Sequence, residues 1–150
     1  MGNIFNEDFR DFITALNNNE VQYILVGGYS VILHGYARTT GDLDIWVKKE
    51  KENYIRLVNA FKEFKMPVFD MTENNFLKNP ELNVFTFGRP PSSIDIMTDV
   101  KGLNFSEAFR NSKVVEVESL KVRLIHIDQL LKAKRASGRH KDLDDIENLS

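Results

Sequence analysis

The most restrictive feature of the sequence is a pair of aspartates, Asp42 and Asp44, separated by a single leucine. They begin a stretch whose alternation predicts a β-strand over 43–47, so both carboxylates leave the same face of that strand. Leu43 and Ile45 then point to the opposite face and can enter a core. Two carboxylates this close repel each other and cannot be buried without a partner. Because a hard dication prefers oxygen ligands, the pair predicts a site for Mg²⁺, with Mn²⁺ as the alternative ion.

A glycine pair, Gly27-Gly28, lies between a predicted strand over 23–26 and a predicted helix over 30–34. Glycine has no Cβ atom, so its backbone can approach a ligand closely and adopt positive φ. The N-terminus of a following helix offers unpaired N–H groups, which suit a phosphate, and the hydroxyl of Ser30 can add a donor. Alone, each motif has an ordinary explanation, a turn or an acidic strand edge. Together they predict a site for a metal-bound nucleoside triphosphate.

A third carboxylate, Asp95, lies in a predicted strand over 94–97 and is flanked by apolar residues. If that strand lies beside the strand of Asp42 and Asp44, Asp95 can act as general base on an acceptor hydroxyl and help to bind a second ion. Two ions roughly 3.5–4 Å apart stabilise both the attacking and the leaving oxygens of a displacement. The alternative is an acid that faces solvent.

The composition narrows the classes of function. The 150 residues include no cysteine, which excludes disulfides, thiolate zinc sites and cysteine nucleophiles. The formal net charge is −2, so no global positive field draws the protein to nucleic acid, and no binding to duplex DNA is expected. The N-terminal residues are acidic and lack an apolar stretch, and no apolar run reaches membrane-spanning length. We therefore expect a cytoplasmic protein that does not bind membranes.

The chain is expected to form one α+β domain over residues 1–150, with a small mixed β-sheet flanked by helices and a helical C-terminus. The expected helices cover 9–16, 30–34, 51–64, a short segment around 108–109, 127–135 and 141–149. Further strands are expected over 84–87, 114–117 and 122–125. The local signals are N-caps at Asn6 and Ser106, a turn with Gly88, Pro90 and Pro91, a hairpin turn at Glu118-Ser119, and a helix break at Ser137-Gly138.

Basic side chains can supply the positive charge that a triphosphate needs. Arg38 can contact phosphate or pair with Asp42 or Asp44, and the phosphate role is favoured. Lys134 and Lys141 belong to a C-terminal basic cluster that can neutralise a triphosphate or bind an RNA backbone. The alternative for that cluster is a solvated helix end, where cations interact favourably with the helix dipole.

These motifs resemble a known family. Gly27-Gly28, Asp42-Leu43-Asp44-Ile45 and Asp95 are similar to the motif pattern of the DNA polymerase β-like nucleotidyltransferase superfamily. The segments 34–35 and 38–40 resemble its small bacterial members, which include antibiotic nucleotidyltransferases and the toxin or antitoxin nucleotidyltransferases of phage-defence systems. Segment 134–143 is similar to the abortive-infection-type branch, so the resemblance spans residues 21–149.

The resemblance implies Mg²⁺-dependent transfer of a nucleoside monophosphate from an NTP to an acceptor hydroxyl, with release of pyrophosphate. The acceptor could belong to a small molecule, an RNA or a partner protein. The alternative is a non-catalytic nucleotide-binding or antitoxin-like module of the same fold that binds a partner, although three intact acids favour the enzyme. The implied site residues are Asp42 and Asp44 as metal ligands, Asp95 as the third carboxylate, and Gly27, Gly28 and Ser30 as the phosphate loop.

Overall fold

The computed structural model describes residues 4–89 and 92–149, so the expected turn residues Pro90 and Pro91 lie outside it. Within this part of the chain, a six-stranded β-sheet is flanked by seven helices, none of them long and apolar enough to cross a membrane. The strands are β1 Tyr23–Val26, β2 Asp42–Val47, β3 Val84–Arg89, β4 Ser92–Met97, β5 Lys113–Val117 and β6 Leu120–Leu124. The helices are α1 Glu7–Asn18, α2 Gly27–Leu33, α3 Lys51–Phe64, α4 Glu73–Lys78, α5 Phe105–Asn111, α6 Ile127–Ser137 and α7 His140–Leu149.

The sheet has the strand order β3-β4-β2-β1-β6-β5. β2 lies near its middle, where it pairs in parallel with β4 on one side and antiparallel with β1 on the other. β1 pairs in parallel with β6, and the edge strands β3 and β5 are each antiparallel to their neighbour. The predicted α+β fold with a small mixed sheet and a helical C-terminus is therefore confirmed.

Helices cover both faces of the sheet. On the face that we call the back, Phe61 of α3 packs against Phe12 of α1 and Phe87 of β3, with ring centroids 5.5 and 4.8 Å away. On the front face, Trp46 of β2 is buried and packs edge-on against Phe105 of α5. Because side chains alternate along a strand, Trp46 shares the front face with the aspartates of β2. The aromatic core on the back supports β2 and leaves its front available for a site.

Local sequence signals are confirmed at several element ends. The side chain of Asn6 accepts a hydrogen bond from the Phe9 N–H at 2.8 Å and caps α1. Glu118 and Ser119 form the turn between β5 and β6 with φ of 51° and 69°, the left-handed region that tight hairpin turns use. Gly138 ends α6 with a φ of 62°, as glycine commonly does after a helix.

Three elements differ from the sequence-based expectation. Asn104 caps α5 in place of Ser106, because its side chain accepts a hydrogen bond from the Glu107 N–H at 3.1 Å. α2 begins at Gly27 and so includes the glycine pair, since the chain turns into the helix as soon as β1 ends. α4 is not predicted by the sequence, because Phe76 is its one buried side chain and no apolar helical period exists.

Phe61 is expected to carry a large share of the packing between helices and sheet, since it is 1% exposed and contacts both layers. Phe61→Ala should lower the free energy of unfolding by about 3–5 kcal/mol, because it leaves a cavity that its neighbours fill only partly. Ile55→Ala on the same helix removes a side chain that is 49% exposed and should stay within about 0.5 kcal/mol. Urea unfolding measures both values, and equal losses would contradict this assignment of the core.

Candidate active site

The predicted carboxylates lie on the front face of the sheet, on two neighbouring strands. In the parallel pairing of β2 with β4, Asp44 lies opposite Asp95 and Asp42 lies opposite Ser93. The expectation that the strand of Asp95 lies beside that of Asp42 and Asp44 is therefore confirmed. Because neighbouring strands run about 4.8 Å apart, Asp44 and Asp95 are adjacent across the sheet.

Two hydroxyl groups orient the carboxylates of Asp42 and Asp95. Ser93 Oγ donates to Asp42 Oδ1 at 2.7 Å, and Thr86 Oγ1 of β3 donates to Asp95 Oδ1 at 2.7 Å. Each bond engages one oxygen of the carboxylate and restricts its rotation. Ser93 and Thr86 are not found by sequence reasoning, because their position depends on the register between strands.

The carboxyl of Asp44 has a strongly perturbed pKa, raised from its usual 3.8 to about 7. Burial is the largest cause, and the charges of Asp95 and Asp42 add to it because a further negative charge nearby is disfavoured. The ammonium of Lys134 acts in the opposite direction. Without a bound cation, the fold therefore holds Asp44 partly protonated at neutral pH.

The donor set of the site fits a hard dication. Asp42, Asp44 and Asp95 offer carboxylate oxygens, and a dication would relieve the repulsion that raises the pKa of Asp44. Among the described residues, however, no three His, Asp or Glu side chains are close enough to hold a metal ion by themselves. Part of the coordination shell would therefore fall to water and phosphate oxygens, as is common for Mg²⁺.

The raised pKa predicts that ionisation of Asp44 opposes folding. Because the folded-state pKa lies above the unfolded one, stability linked to this group is fully present below about pH 4 and is lost as the pH rises through about 7. In EDTA, the melting temperature of Asp44→Asn should therefore rise relative to that of the wild type as the pH increases. The difference, variant minus wild type, should be larger at pH 8 than at pH 4 by about 5 °C or more. Thermal unfolding measures this difference, and excess Mg²⁺ should reduce it. A difference that stays constant with pH would contradict the raised pKa.

The glycine pair lies directly beside the carboxylates. A Cβ atom on Gly27 would collide with the carboxylate of Asp44. One on Gly28 would collide with the hydroxyl of Thr40 and lie 3.2 Å from Arg38 Nη2. The glycines therefore let the side chains of the site close over the start of α2, which is a packing reason for them that the sequence does not reveal.

Ser30 follows the glycine pair but is fully buried. Its hydroxyl donates to the carbonyl of Gly27 at 2.6 Å, which ties the glycine to the first turn of α2. The role of Ser30 as a direct phosphate donor stays a prediction. Its hydroxyl hydrogen is already used in the bond to Gly27, so it would have to leave that carbonyl to donate to a phosphate.

Gly27 and Gly35 form a matched pair for testing this contact. Both have positive φ, 72° and 110°, but a Cβ atom on Gly35 would meet no atom within 4 Å. Gly27→Ala should therefore lower the free energy of unfolding by about 1–3 kcal/mol more than Gly35→Ala, the usual cost of overpacking. Urea unfolding gives both values. In an Asp44→Gly background, which also removes the Asp44 Cβ atom that would lie 2.8 Å from the added Cβ, the excess should vanish, and its persistence would show that Asp44 is not its cause.

Arg38 pairs with an acid that the sequence does not suggest. Its Nε lies 3.1 Å from Oδ1 of Asp145, a fully buried carboxylate of α7. The interpretation in which Arg38 pairs with Asp42 or Asp44 is therefore wrong. The physical reason is that α7 brings a desolvated acid to the loop before β2, while Asp42 is hydrogen-bonded by Ser93.

Lys134 is also buried, at 7% exposure, and is not a solvated helix-end residue. Its Nζ lies 3.0 Å from Asp142 and 3.2 Å from Asp145, so two acids of α7 compensate one buried ammonium. Although burial raises the pKa of Asp142, hydrogen bonds from Arg139, Ser137 and Lys134 hold that pKa well below its usual range. The sequence carries one signal for this pair of acids, since residues three apart share a helix face.

Two cavities meet at Asp44. The first, of about 270 Å³, lies over all three carboxylates, and the second, of about 210 Å³, lies between the sheet, α6 and residues 99–101. The exposed Lys141 also lines the first cavity. Both cavities are lined by Gly27, Asp44, Met97, Lys134, Arg139 and Asp142. The structure therefore brings the glycine pair, the carboxylates, Arg38, Lys134 and Lys141 together around one opening.

A glycine pair at a strand–helix junction, facing carboxylates on adjacent strands of a mixed sheet, defines the nucleotidyltransferase class. Residues 7–150 match the family described as "Nucleotidyltransferase of unknown function" (DUF6036), and the chain belongs to this family. It is therefore a transferase of phosphorus-containing groups, with a nucleotide substrate and an acceptor, and its class typically uses a divalent metal. No curated protein matches the chain.

Solved structures share this fold at low sequence identity. A presumed nucleotidyltransferase from Thermotoga maritima is 15% identical, with a TM-score of 0.58 over 93% of this chain and 88% of that one. The lincosamide antibiotic adenylyltransferase LnuA, solved with lincomycin bound, is 15% identical, with a TM-score of 0.55 over 99% of this chain and 98% of that one. An antigenic nucleotidyltransferase-like protein from Paracoccidioides brasiliensis is 13% identical, with a TM-score of 0.52 and coverages of 95% and 72%. The resemblance to small members of the superfamily is confirmed.

Proposed function

We propose that this protein transfers a nucleoside monophosphate from an NTP to an acceptor hydroxyl in a Mg²⁺-dependent reaction, releasing pyrophosphate. The observation that carries the proposal is the position of Asp44, which faces Asp95 across the sheet and lies against Gly27 of the glycine pair on its other side. One side chain thus joins the groups suited to a metal with the backbone suited to a phosphate. The continuous sheet from β3 to β5 supports treating the chain as a single nucleotidyltransferase domain.

The metal would be held by Asp42, Asp44 and Asp95 together with phosphate oxygens. These carboxylates suit Mg²⁺, and Mn²⁺ is the alternative because it accepts the same oxygen ligands. A bound divalent ion would neutralise charge on the triphosphate and polarise the α-phosphate. The hydroxyls of Ser93 and Thr86 would keep two of the carboxylates oriented before substrate arrives, which lowers the cost of organising the site.

The triphosphate would lie against the start of α2. In this proposal the backbone of Gly27 and Gly28 approaches it, and Arg38, Lys134 and Lys141 supply positive charge around the same opening. Arg38 suits a phosphate because its guanidinium carries several N–H donors in a planar arrangement, and its Nη2 is already beside Gly28. With its β- and γ-phosphates held by these groups, the nucleotide would present its α-phosphate to attack from the side of Asp95.

The chemical step requires one proton acceptor and one leaving group. The acceptor hydroxyl loses its proton to Asp95 while its oxygen forms a bond to the α-phosphorus. The bond between the α-phosphorus and the oxygen bridging to the β-phosphate breaks, and pyrophosphate leaves with that oxygen. Phosphoryl chemistry of this type depends on positioning and charge stabilisation, so no cysteine or serine nucleophile is needed.

The acceptor can be a small molecule, an RNA end or a protein hydroxyl. LnuA, described as a lincosamide antibiotic adenylyltransferase, shares the fold over 98% of its length, which favours including small hydroxyl compounds among the acceptors tested. The protein carries no net positive charge, and this favours a compact acceptor over a long nucleic acid.

Label transfer tests the proposal directly. The protein is incubated with Mg²⁺ and ATP, GTP, CTP or UTP labelled at the α-phosphate, with total RNA, protein extract or lincosamide and aminoglycoside compounds as acceptors. Asp44→Ala should reduce transfer by at least about 100-fold, the order expected when one group that stabilises the transition state is lost. Asp11→Asn, an exposed acid on α1, is the matched control and should transfer at the wild-type rate.

The outcomes separate the enzyme from a binding module. Transfer that disappears with EDTA and with Asp44→Ala supports the proposal. Nucleotide binding seen as a higher melting temperature, with no transfer to any acceptor, would instead identify a nucleotide-binding module of the same fold. Transfer that survives Asp44→Ala would overturn the proposed site.

A further inference from the structure

Asp145 of α7 is fully buried and pairs with two cations that line the site, Arg38 and Lys134. Both of its carboxylate oxygens are engaged by cations. Oδ1 is 3.1 Å from Arg38 Nε, and Oδ2 is 3.3 Å from Arg38 Nη2 and 3.2 Å from Lys134 Nζ. A buried carboxylate is costly unless it is paired, so the two cations and the acid hold one another in place.

Each of the two cations also reaches the site. Arg38 Nη2 would lie 3.2 Å from a Cβ atom on Gly28, which places the guanidinium at the start of α2. Lys134 lines both cavities that meet at Asp44. An ammonium has three N–H donors and a guanidinium five, so contacts with α7 leave donors on both side chains that can face a phosphate.

The connection between these cations depends on one residue. Asp142 contacts Lys134 at 3.0 Å and Arg139 at 2.7 Å, but it does not reach Arg38. Within the part of the chain that the structure describes, Asp145 is the acid that joins Arg38, from the loop before β2, to Lys134 on α6. It therefore sets the relative position of two cations that come from distant parts of the sequence.

We propose that Asp145 is a positioning residue for the nucleotide substrate, which acts by holding Arg38 and Lys134 in the geometry that meets the triphosphate. This inference rests on the proposed function. It assigns a role in substrate binding to a residue of α7 that does not touch the reacting atoms.

A neighbouring acid provides a close control. Asp144 lies on the same helix, is exposed, accepts a hydrogen bond from the Tyr36 hydroxyl at 2.8 Å, and forms no ion pair with Arg38 or Lys134, whose partners on α7 are Asp142 and Asp145. Asp144→Asn and Asp145→Asn make the same change in charge and shape one residue apart. An effect found for Asp145 and absent for Asp144 therefore cannot arise from the net charge of α7.

The experiment is steady-state kinetics of the full chain with Mg²⁺ and the NTP and acceptor that the wild-type protein uses. Asp145→Asn should raise KM for the NTP by about tenfold, the order expected when one hydrogen bond between a displaced cation and a phosphate is lost. Its kcat should change by less than about threefold, since contacts to the outer phosphates bind ground and transition states alike. Asp144→Asn should leave both constants within about twofold of the wild type.

Two further variants distinguish positioning from a general loss of stability. Asp145→Glu keeps the charge and should raise KM for the NTP by a smaller factor, about threefold, which provides the test if Asp145→Asn does not fold. In a double-mutant cycle with Arg38→Gln, the two effects on KM should combine to less than their product, because Asp145 acts partly through Arg38. A purely structural role would lower the melting temperature without changing KM in the folded fraction.

The possible failures are distinguishable. The positioning role is overturned if Asp145→Asn and Asp145→Glu both have the same KM as Asp144→Asn. It is also overturned if Asp145→Asn lowers kcat and leaves KM unchanged. In both cases the proposed function stands. If the wild-type protein turns over no NTP with any acceptor, the proposed function is overturned and the inference fails with it.

Discussion

Two carboxyl groups lie side by side at the centre of this molecule because β2 and β4 pair in parallel with Asp44 opposite Asp95. The pairing is stabilised from the back of the sheet by buried apolar residues, so the strands cannot separate to relieve the repulsion without exposing the core. The fold therefore imposes a like-charge contact and offsets its cost elsewhere. The raised pKa of Asp44 is the measurable consequence of that constraint.

The C-terminal helices supply the compensating charge. Lys134 and Arg139 come from the region of α6 and α7, and the two buried acids of α7 hold Lys134 in place beside the carboxylates. Arg38, Lys134 and Arg139 each have a carboxylate of α7 within about 4 Å, the range in which a partner favours the ionised form. Such an arrangement is sensitive to single substitutions, because removing one member leaves its partner buried and unpaired.

Proteins of the same fold are consistent with a division of roles between the central strands, which carry the site, and the helices around them. Structures that share only 13–15% identity with the chain keep the fold, so the sheet and its helices tolerate wide sequence change. What the family assignment adds is the class of chemistry, transfer of a nucleotidyl group. A site built on two central strands can persist while the helices around it vary, and variation there can change which acceptor is used.

The sequence by itself determined the parts of this protein whose physics is local. Alternation places Asp42 and Asp44 on one strand face, Asn6 caps a helix, and Glu118-Ser119 turns a hairpin, because each depends on neighbouring residues alone. The joint spacing of the glycine pair and the three acids also predicted a site for a metal-bound triphosphate. The resemblance that these motifs carry implied the class of chemistry.

The tertiary structure decided which distant residues meet. Asp95 lies beside Asp44 because two strands pair in parallel, Arg38 meets Asp145 because α7 folds back over the loop before β2, and the buried hydroxyl of Ser30 bonds to the carbonyl of Gly27. No local pattern encodes these contacts, since strand register and helix docking are set by the packing of the whole chain. For the same reason the spacing of Asp142 and Asp145 could show that they share a helix face, whereas only the fold shows what that face touches.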